Sequence, residues 1–262
     1  MAILAVVLSL ACSSAGWAAL GAYSQDFEGF AQSDPNALID DGWLVFGNVF
    51  DDNANFLFSY GPFGAPNWPF SGPAEPGFSA LVVNEGGVDQ GMTQLSVFSD
   101  YGCCSGDFAH FSFQGGFVEA NVFQEQTIGP DNIGQSWFFS FDAKKPPFDP
   151  NNGNWGLAGD STAFAFLKTI DPNNGFAATN FLVLDMTNTP GDWTSYTMVI
   201  DLLFPELEGQ LLQFGFLTNA TNFDSSTVIY DNIEFAPIPA PAAFWLFGSA
   251  LGLLGWLKRR SA

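Results

Sequence analysis

Twenty-seven carboxylates and a single histidine bound the chemistry open to this 262-residue chain. A nucleophile–base pair would need His110. That residue sits in "GDFAHFSFQGG", an alternating aromatic run, where packing or a surface strand position outweighs catalysis. No G-x-S-x-G elbow supports a Ser-His-Asp arrangement. Paired carboxylates of the kind that hydrolyse glycosides must occur by chance among so many acids, so they give no positive signal. Phosphate-loop and dinucleotide fingerprints are missing. Cys103 and Cys104 are adjacent. A strained vicinal disulfide, an intermolecular bond and a free pair all stay open. With one histidine and no four-ligand spacing, the pair is a weak zinc signal.

Aromatic residues offer a different chemistry. Sugar binding asks for flat aromatic platforms with a few polar groups beside them. Trp68 lies in the Pro/Gly-rich stretch Ser59–Gly77, Tyr101 beside the cysteine pair, and Trp155 in "NNGNWG". These loop settings make the three residues candidate glycan contacts. Trp43, Trp137 and Trp193 fall on or beside strand patterns and read as core. "DPNNG" occurs twice, at Phe148–Gly156 and Ile170–Phe176. Both copies read as turns between strands, with oxygen-rich calcium loops as the alternative.

Charge narrows the partners. The formal net charge is -21, and Lys144, Lys145 and Lys168 are the only cations between Asp26 and Glu234. Such a body cannot neutralise phosphates, which excludes nucleic acid as a partner. It also argues against an acidic polysaccharide held by ion pairs. A neutral glycan, or acidic chains bridged by Ca²⁺, fits better.

The elements that must position these groups are strands. Hydrophobic residues make up 47% and aromatics 16%, ample for a core. "SWFFSFDAK" places Trp137, Phe139 and Phe141 on one face. "STAFAFLKTI" groups Phe164 with Phe166, and "LLQFGFLTN" groups Leu212, Phe214 and Phe216. "SYTMVIDL" aligns Tyr196, Met198 and Ile200. Further runs are Trp43–Phe50, Phe78–Asn84, Thr93–Phe98, Phe117–Gln124, Asn180–Met186 and Thr227–Phe235, and no stretch shows a helical period. About ten strands with turn residues between them predict an all-β, antiparallel β-sandwich over residues 23–236.

Both ends read as addresses. Residues 1–22 resemble a secretory signal peptide: Ala2–Ala11 is apolar and small residues follow, with a cleavage zone at Ala18–Ala22. No Lys or Arg precedes the apolar run. At the other end, Ala242–Leu257 is a run of 16 uncharged residues, or 18 counted from Ala240. A spanning helix needs about 20, so the run suits a thin bilayer or snorkelling flanks. Lys258, Arg259 and Arg260 follow, as a cytoplasmic end requires. Gly248, Gly252 and Gly255 suit close helix packing. The expectation is a body outside, with its tail across the inner membrane.

The tail "PIPAPAAFWLFGSALGLLGWLKRRSA", Pro237–Ala262, resembles a PEP-CTERM sorting signal. Ile238 stands between Pro237 and Pro239 where the name-giving motif has Glu, and Pro241 adds another proline. The resemblance implies a Gram-negative envelope protein, cut by an exosortase near the proline hinge and passed to the cell surface or matrix. It also implies an association with exopolysaccharide and biofilm. Within the body, "YSQDFEGF…DDGWLVFG" and "VIYDNIEF" resemble the first and last strands of jelly-roll, galactose-binding-like carbohydrate-binding modules. That likeness implies a structural Ca²⁺ held by Glu28 and Asp231, with backbone carbonyls completing the shell and Asp26 a lesser choice. Together these readings predict an exported, non-enzymatic adhesion or glycan-binding sandwich. The alternatives are a secreted polysaccharide-active hydrolase and a purely structural envelope protein.

Overall fold

The computed structural model describes residues 20–51, 53–67, 77–83, 93–99, 117–146, 156–221 and 226–239. Within them the period-2 runs form strands, all paired antiparallel. One sheet has the order β10 (Thr194–Leu202), β7 (Gln135–Lys144), β12 (Val228–Pro237), β5 (Thr93–Val97), β4 (Ser79–Val83), and β1 (Tyr23–Gln25) joins β12. The second has the order β3 (Phe56–Gly64), β2 (Leu44–Phe50), β6 (Phe117–Thr127), β11 (Leu211–Thr221), β8 (Thr162–Asp171), β9 (Ala177–Asp185). The two sheets pack face to face as the expected jelly-roll sandwich.

Aromatic rings fill the space between the sheets. Phe214 stacks on Phe235 at 4.3 Å between centroids, Phe216 on Tyr230 at 3.5 Å, and Trp43 on Phe216 at 6.4 Å. Phe139 and Phe141 of β7 close the layer against the same rings. Each buried ring removes about 150–250 Å² from water, so this layer dominates the stability. Trp43 and Trp137 are core, as the strand pattern implied. Trp193 is half-buried, with the Lys144 ammonium 4.6 Å from its ring centroid.

Two elements differ from the expectation. Phe56–Gly64 is a strand, although Ser59–Gly77 reads as one loop. β3 lies at the sheet edge, where no second neighbour needs the N–H that Pro62 lacks. A single helical turn, α1 (Ala37–Asp40), buries Ala37 and Leu38.

The chain enters and leaves at one end of the sandwich. Buried Leu20 donates its N–H to Asn132 Oδ1 at 3.0 Å, and Gly21 donates to Gln126 Oε1 at 2.8 Å. The docked body thus reaches into the span expected as a leader. β12 continues through Pro237, opposite Trp137, and the Ile238 N–H bonds the Ser136 carbonyl at 2.8 Å.

Candidate functional site

Strand β8 turns Ala163, Ala165 and Leu167 inward and its phenylalanines outward. Ala163 and Ala165 face the core, because Ala165 pairs with Phe216, whose ring already fills that space. Phe164 and Phe166 therefore stand on the outer face of the second sheet. There Phe123, Phe166 and Leu217 form a second apolar cluster, flanked by half-buried Leu44, Phe46 and Phe164. Gly215 makes the cluster possible. It pairs with Phe123 on one side and Phe166 on the other. A Cβ at this position would lie 2.2 Å from the Val122 carbonyl oxygen and 2.6 Å from Phe123 Cα. The two rings lean over the glycine at 6.3 Å.

Polar rows border this band. On one side the register places Glu125, Gln213, Lys168 and Phe181 in line across four strands. Gln213 Nε2 donates to Glu125 Oε2 at 2.6 Å, while Gln213 Oε1 is buried without a hydrogen-bond partner. Lys168 Nζ lies 5.2 Å from the Phe166 ring and 5.9 Å from Phe181, which is exposed. Burial lowers the Lys168 pKa, and the charges of Glu119 and Glu125 oppose that shift. On the other side Glu119 accepts from Asn48 at 2.8 Å and from Asn121 at 3.2 Å. Asn219 donates to Thr162, and its own Oδ1 is buried without a partner. The cluster itself is buried, so the apolar surface this face offers is half-buried Leu44, Phe46 and Phe164 and exposed Phe181, between two polar rows that each hold a buried, unpartnered amide oxygen.

Asp231, on β12 of the other sheet, lies within electrostatic reach of Glu28 in the turn after β1. Asp231 pairs across strands with Asp142, just before a bulge that leaves Asn232 at φ 49°. Burial pushes the Asp231 carboxyl up to about 7. The Asn232 N–H lowers it, while Glu28, Asp142 and Asp26 raise it further. Glu28 Oε1 accepts the Thr93 N–H at 3.2 Å. Asp142 accepts from Ser195 and from Asn232 Nδ2. A hollow of about 340 Å³ beside the bulge is lined by Ser24, Gln25, Asp26, Asn232, Ile233 and Glu234. Two hard carboxylates thus share one electrostatic neighbourhood, the donor chemistry that suits Ca²⁺. Among the described residues, no group of three or more His, Cys, Asp or Glu side chains could hold a metal ion. Backbone carbonyls would have to supply the remaining oxygens.

Trp68, Tyr101 and Trp155 lie outside the described residues, as do His110, Cys103, Cys104, Pro241, Lys258, Arg259 and Arg260. No helix among the described residues is long and apolar enough to cross a membrane, and Ala242–Leu257 lies beyond them. Sequence reasoning missed the sheet face. Its signal was "AFAFLK" paired with "QFGFL", but only the register shows which side each phenylalanine takes.

No protein-family model and no curated protein matches the chain. Solved structures do. A Stig cyclase from Fischerella sp. TAU is 14% identical over 84% of this chain and 100% of its own, with a TM-score of 0.43. The CBM22-1 xylan-binding domain of Paenibacillus barcinonensis Xyn10C is 10% identical over 84% of this chain and 95% of its own, with a TM-score of 0.40. The enzymatically active domain of bacteriophage CBA120 tailspike protein 4 is 11% identical, with a TM-score of 0.37. There the match spans 61% of this chain and 18% of the tailspike.

Proposed function

We propose that this chain is an exported, non-enzymatic glycan-binding sandwich whose outer sheet face holds a neutral polysaccharide. One observation carries the reading: the outer face of the second sheet sets half-buried Phe46 and Phe164 and exposed Phe181 around the buried Phe123–Phe166 pair, with Lys168 among them. Sugar rings present C–H faces that pack on aromatic surface, and hydroxyl oxygens that accept from a nearby ammonium. Lys168 makes no ion pair among the described residues and supplies a donor for hydroxyl oxygens. A net charge of -21 disfavours polyanions. In the same reading, residues 1–22 direct export and Pro237–Ala262 holds the body at the inner membrane. An exosortase then cuts near the hinge, and the body passes to the cell surface or matrix, where it contributes to exopolysaccharide adhesion. Ca²⁺ held by Glu28 and Asp231 ties the first strand region to the last. The test is a glycan array with the full chain, run alongside an assay for released reducing sugar. Binding without release is expected; no binding to any neutral glycan would overturn the proposal.

Asp231 favours a second reading. A carboxyl with its pKa pushed up to about 7 beside other carboxylates has the form of a general acid. Release of reducing sugar by the native chain, lost in Asp231→Asn, would establish a hydrolase instead.

A further inference from the structure

The two most exposed large hydrophobic side chains among the described residues are Phe204, at 66%, and Phe176, at 65%. They lie in different loops. Phe176 ends the turn between β8 and β9, at φ 59°, and Phe204 precedes the short helical turn Pro205–Leu207 between β10 and β11. Both lie at one end of the sandwich, since Leu211 pairs with Ile170 and Thr179 Oγ1, three residues after Phe176, donates to Gln210 Oε1. Leu203 beside Phe204 is 56% exposed, and Ile238 is 42% exposed.

This is the end at which the chain leaves the sandwich. The Gly134 N–H bonds the Leu202 carbonyl and the Ile238 N–H bonds the Ser136 carbonyl, so β7 joins the exit strand to the Leu203–Phe204 loop. Three residue steps separate Pro239 from Ala242, the first residue of the uncharged run. They span at most about 11 Å, little more than the headgroup zone, which is about 5–8 Å deep on each side of a bilayer. A body tethered so closely cannot drift from the surface, and it presents its most exposed rings on the tethered end.

We infer that Phe176, Leu203 and Phe204 form a membrane-docking rim that seats the sandwich on a zwitterionic lipid surface while the tail is in place. This rests on the reading of Pro237–Ala262 as a membrane-inserted tail. Asp131, Asp171, Glu206 and Glu208 stand on the same end. Anionic lipid would repel them, which is why the fit is to zwitterionic headgroups. Docking orients the body: the outer face of the second sheet stands upright from the bilayer, open to polymer on its side.

The test uses the full chain in phosphatidylcholine vesicles, with p-benzoylphenylalanine replacing Phe204, Phe176 or Phe56 in turn. Phe56 is exposed at the opposite end, paired with Phe50. After illumination, lipid adducts at positions 204 and 176 should exceed those at position 56 by about tenfold or more, as expected for side chains seated in the interface. Adding anionic lipid should lower the yield. Flotation with the vesicles but no adduct above the position 56 level would overturn the rim while leaving the tail anchored. Adducts to a second copy of the chain would overturn it in favour of self-association. Failure to float would overturn the anchoring reading and the rim with it.

Discussion

Strand β11 turns two buried faces to two kinds of surroundings. Inward, Leu212, Phe214 and Phe216 meet rings from both sheets, and packing satisfies them completely. Outward, Gln213, Gly215, Leu217 and Asn219 carry a glycine under two phenylalanines and two amide oxygens without partners. A buried acceptor left unpaired costs about 1–3 kcal/mol. The inner face holds unpartnered polar atoms too, Thr218 Oγ1 and the Tyr230 hydroxyl among them, but it is sealed between the sheets. The outer face is bordered by half-buried Phe46 and Phe164 and exposed Phe181, and this access, not the unpaired atoms, separates a binding surface from a core.

Phe216→Ala should have the largest effect on stability, about 3–5 kcal/mol, read as a lower midpoint in chemical denaturation. Glycan affinity per folded molecule should be unchanged. A loss of affinity in the folded fraction would show that the two faces are not independent.

Next comes Asp231. Its folded-state carboxyl is raised from 3.8 to about 7, so between those values the folded chain keeps a proton that the unfolded chain has lost. Its contribution is therefore fully present below about pH 4 and is lost as pH rises through about 7. Asp231→Asn should flatten that slope in denaturation curves taken at several pH values. Ca²⁺ should restore stability at pH 8 in the native chain and leave the variant unmoved. An unchanged midpoint with and without a chelator would remove the metal from the account.

Gly215→Ala tests both faces of β11 together. The added methyl meets backbone at 2.2 Å, so the strand must move. Overpacking of this kind costs about 1–3 kcal/mol. It should also part Phe123 from Phe166 and weaken glycan binding. Full affinity in this variant would show that the glycine is structural only.

Much of the fold was legible because alternation survives tertiary packing. The runs around Trp137, Met198 and Phe214 are strands with the expected faces inward. β3 was hidden by Gly61 and Pro62, residues that an edge strand tolerates and a central one does not. The site was harder to read. Alternation groups Phe164 with Phe166 but leaves the sign of the face undetermined, which depends on Phe216 having taken the space beside Ala165. Size intuition points those rings inward, and neighbouring strands decide otherwise. The proximity of Asp26, Glu28, Asp142 and Asp231 likewise arises from pairing between segments more than 80 residues apart, which spacing along the chain does not display.

The most direct test of the central claim touches residues that add little to the fold. Phe181 is exposed and Lys168 makes no ion pair among the described residues, so Phe181→Ser with Lys168→Met should shift stability by about 1 kcal/mol or less. Isothermal titration of the native full chain and this double variant with the neutral oligosaccharide that scores highest on the array compares the two. At least about a tenfold loss of affinity with an unchanged melting temperature is predicted, matching one lost stacking contact and one lost hydrogen bond. Equal affinity in the two chains would contradict the claim and place the glycan elsewhere on the molecule.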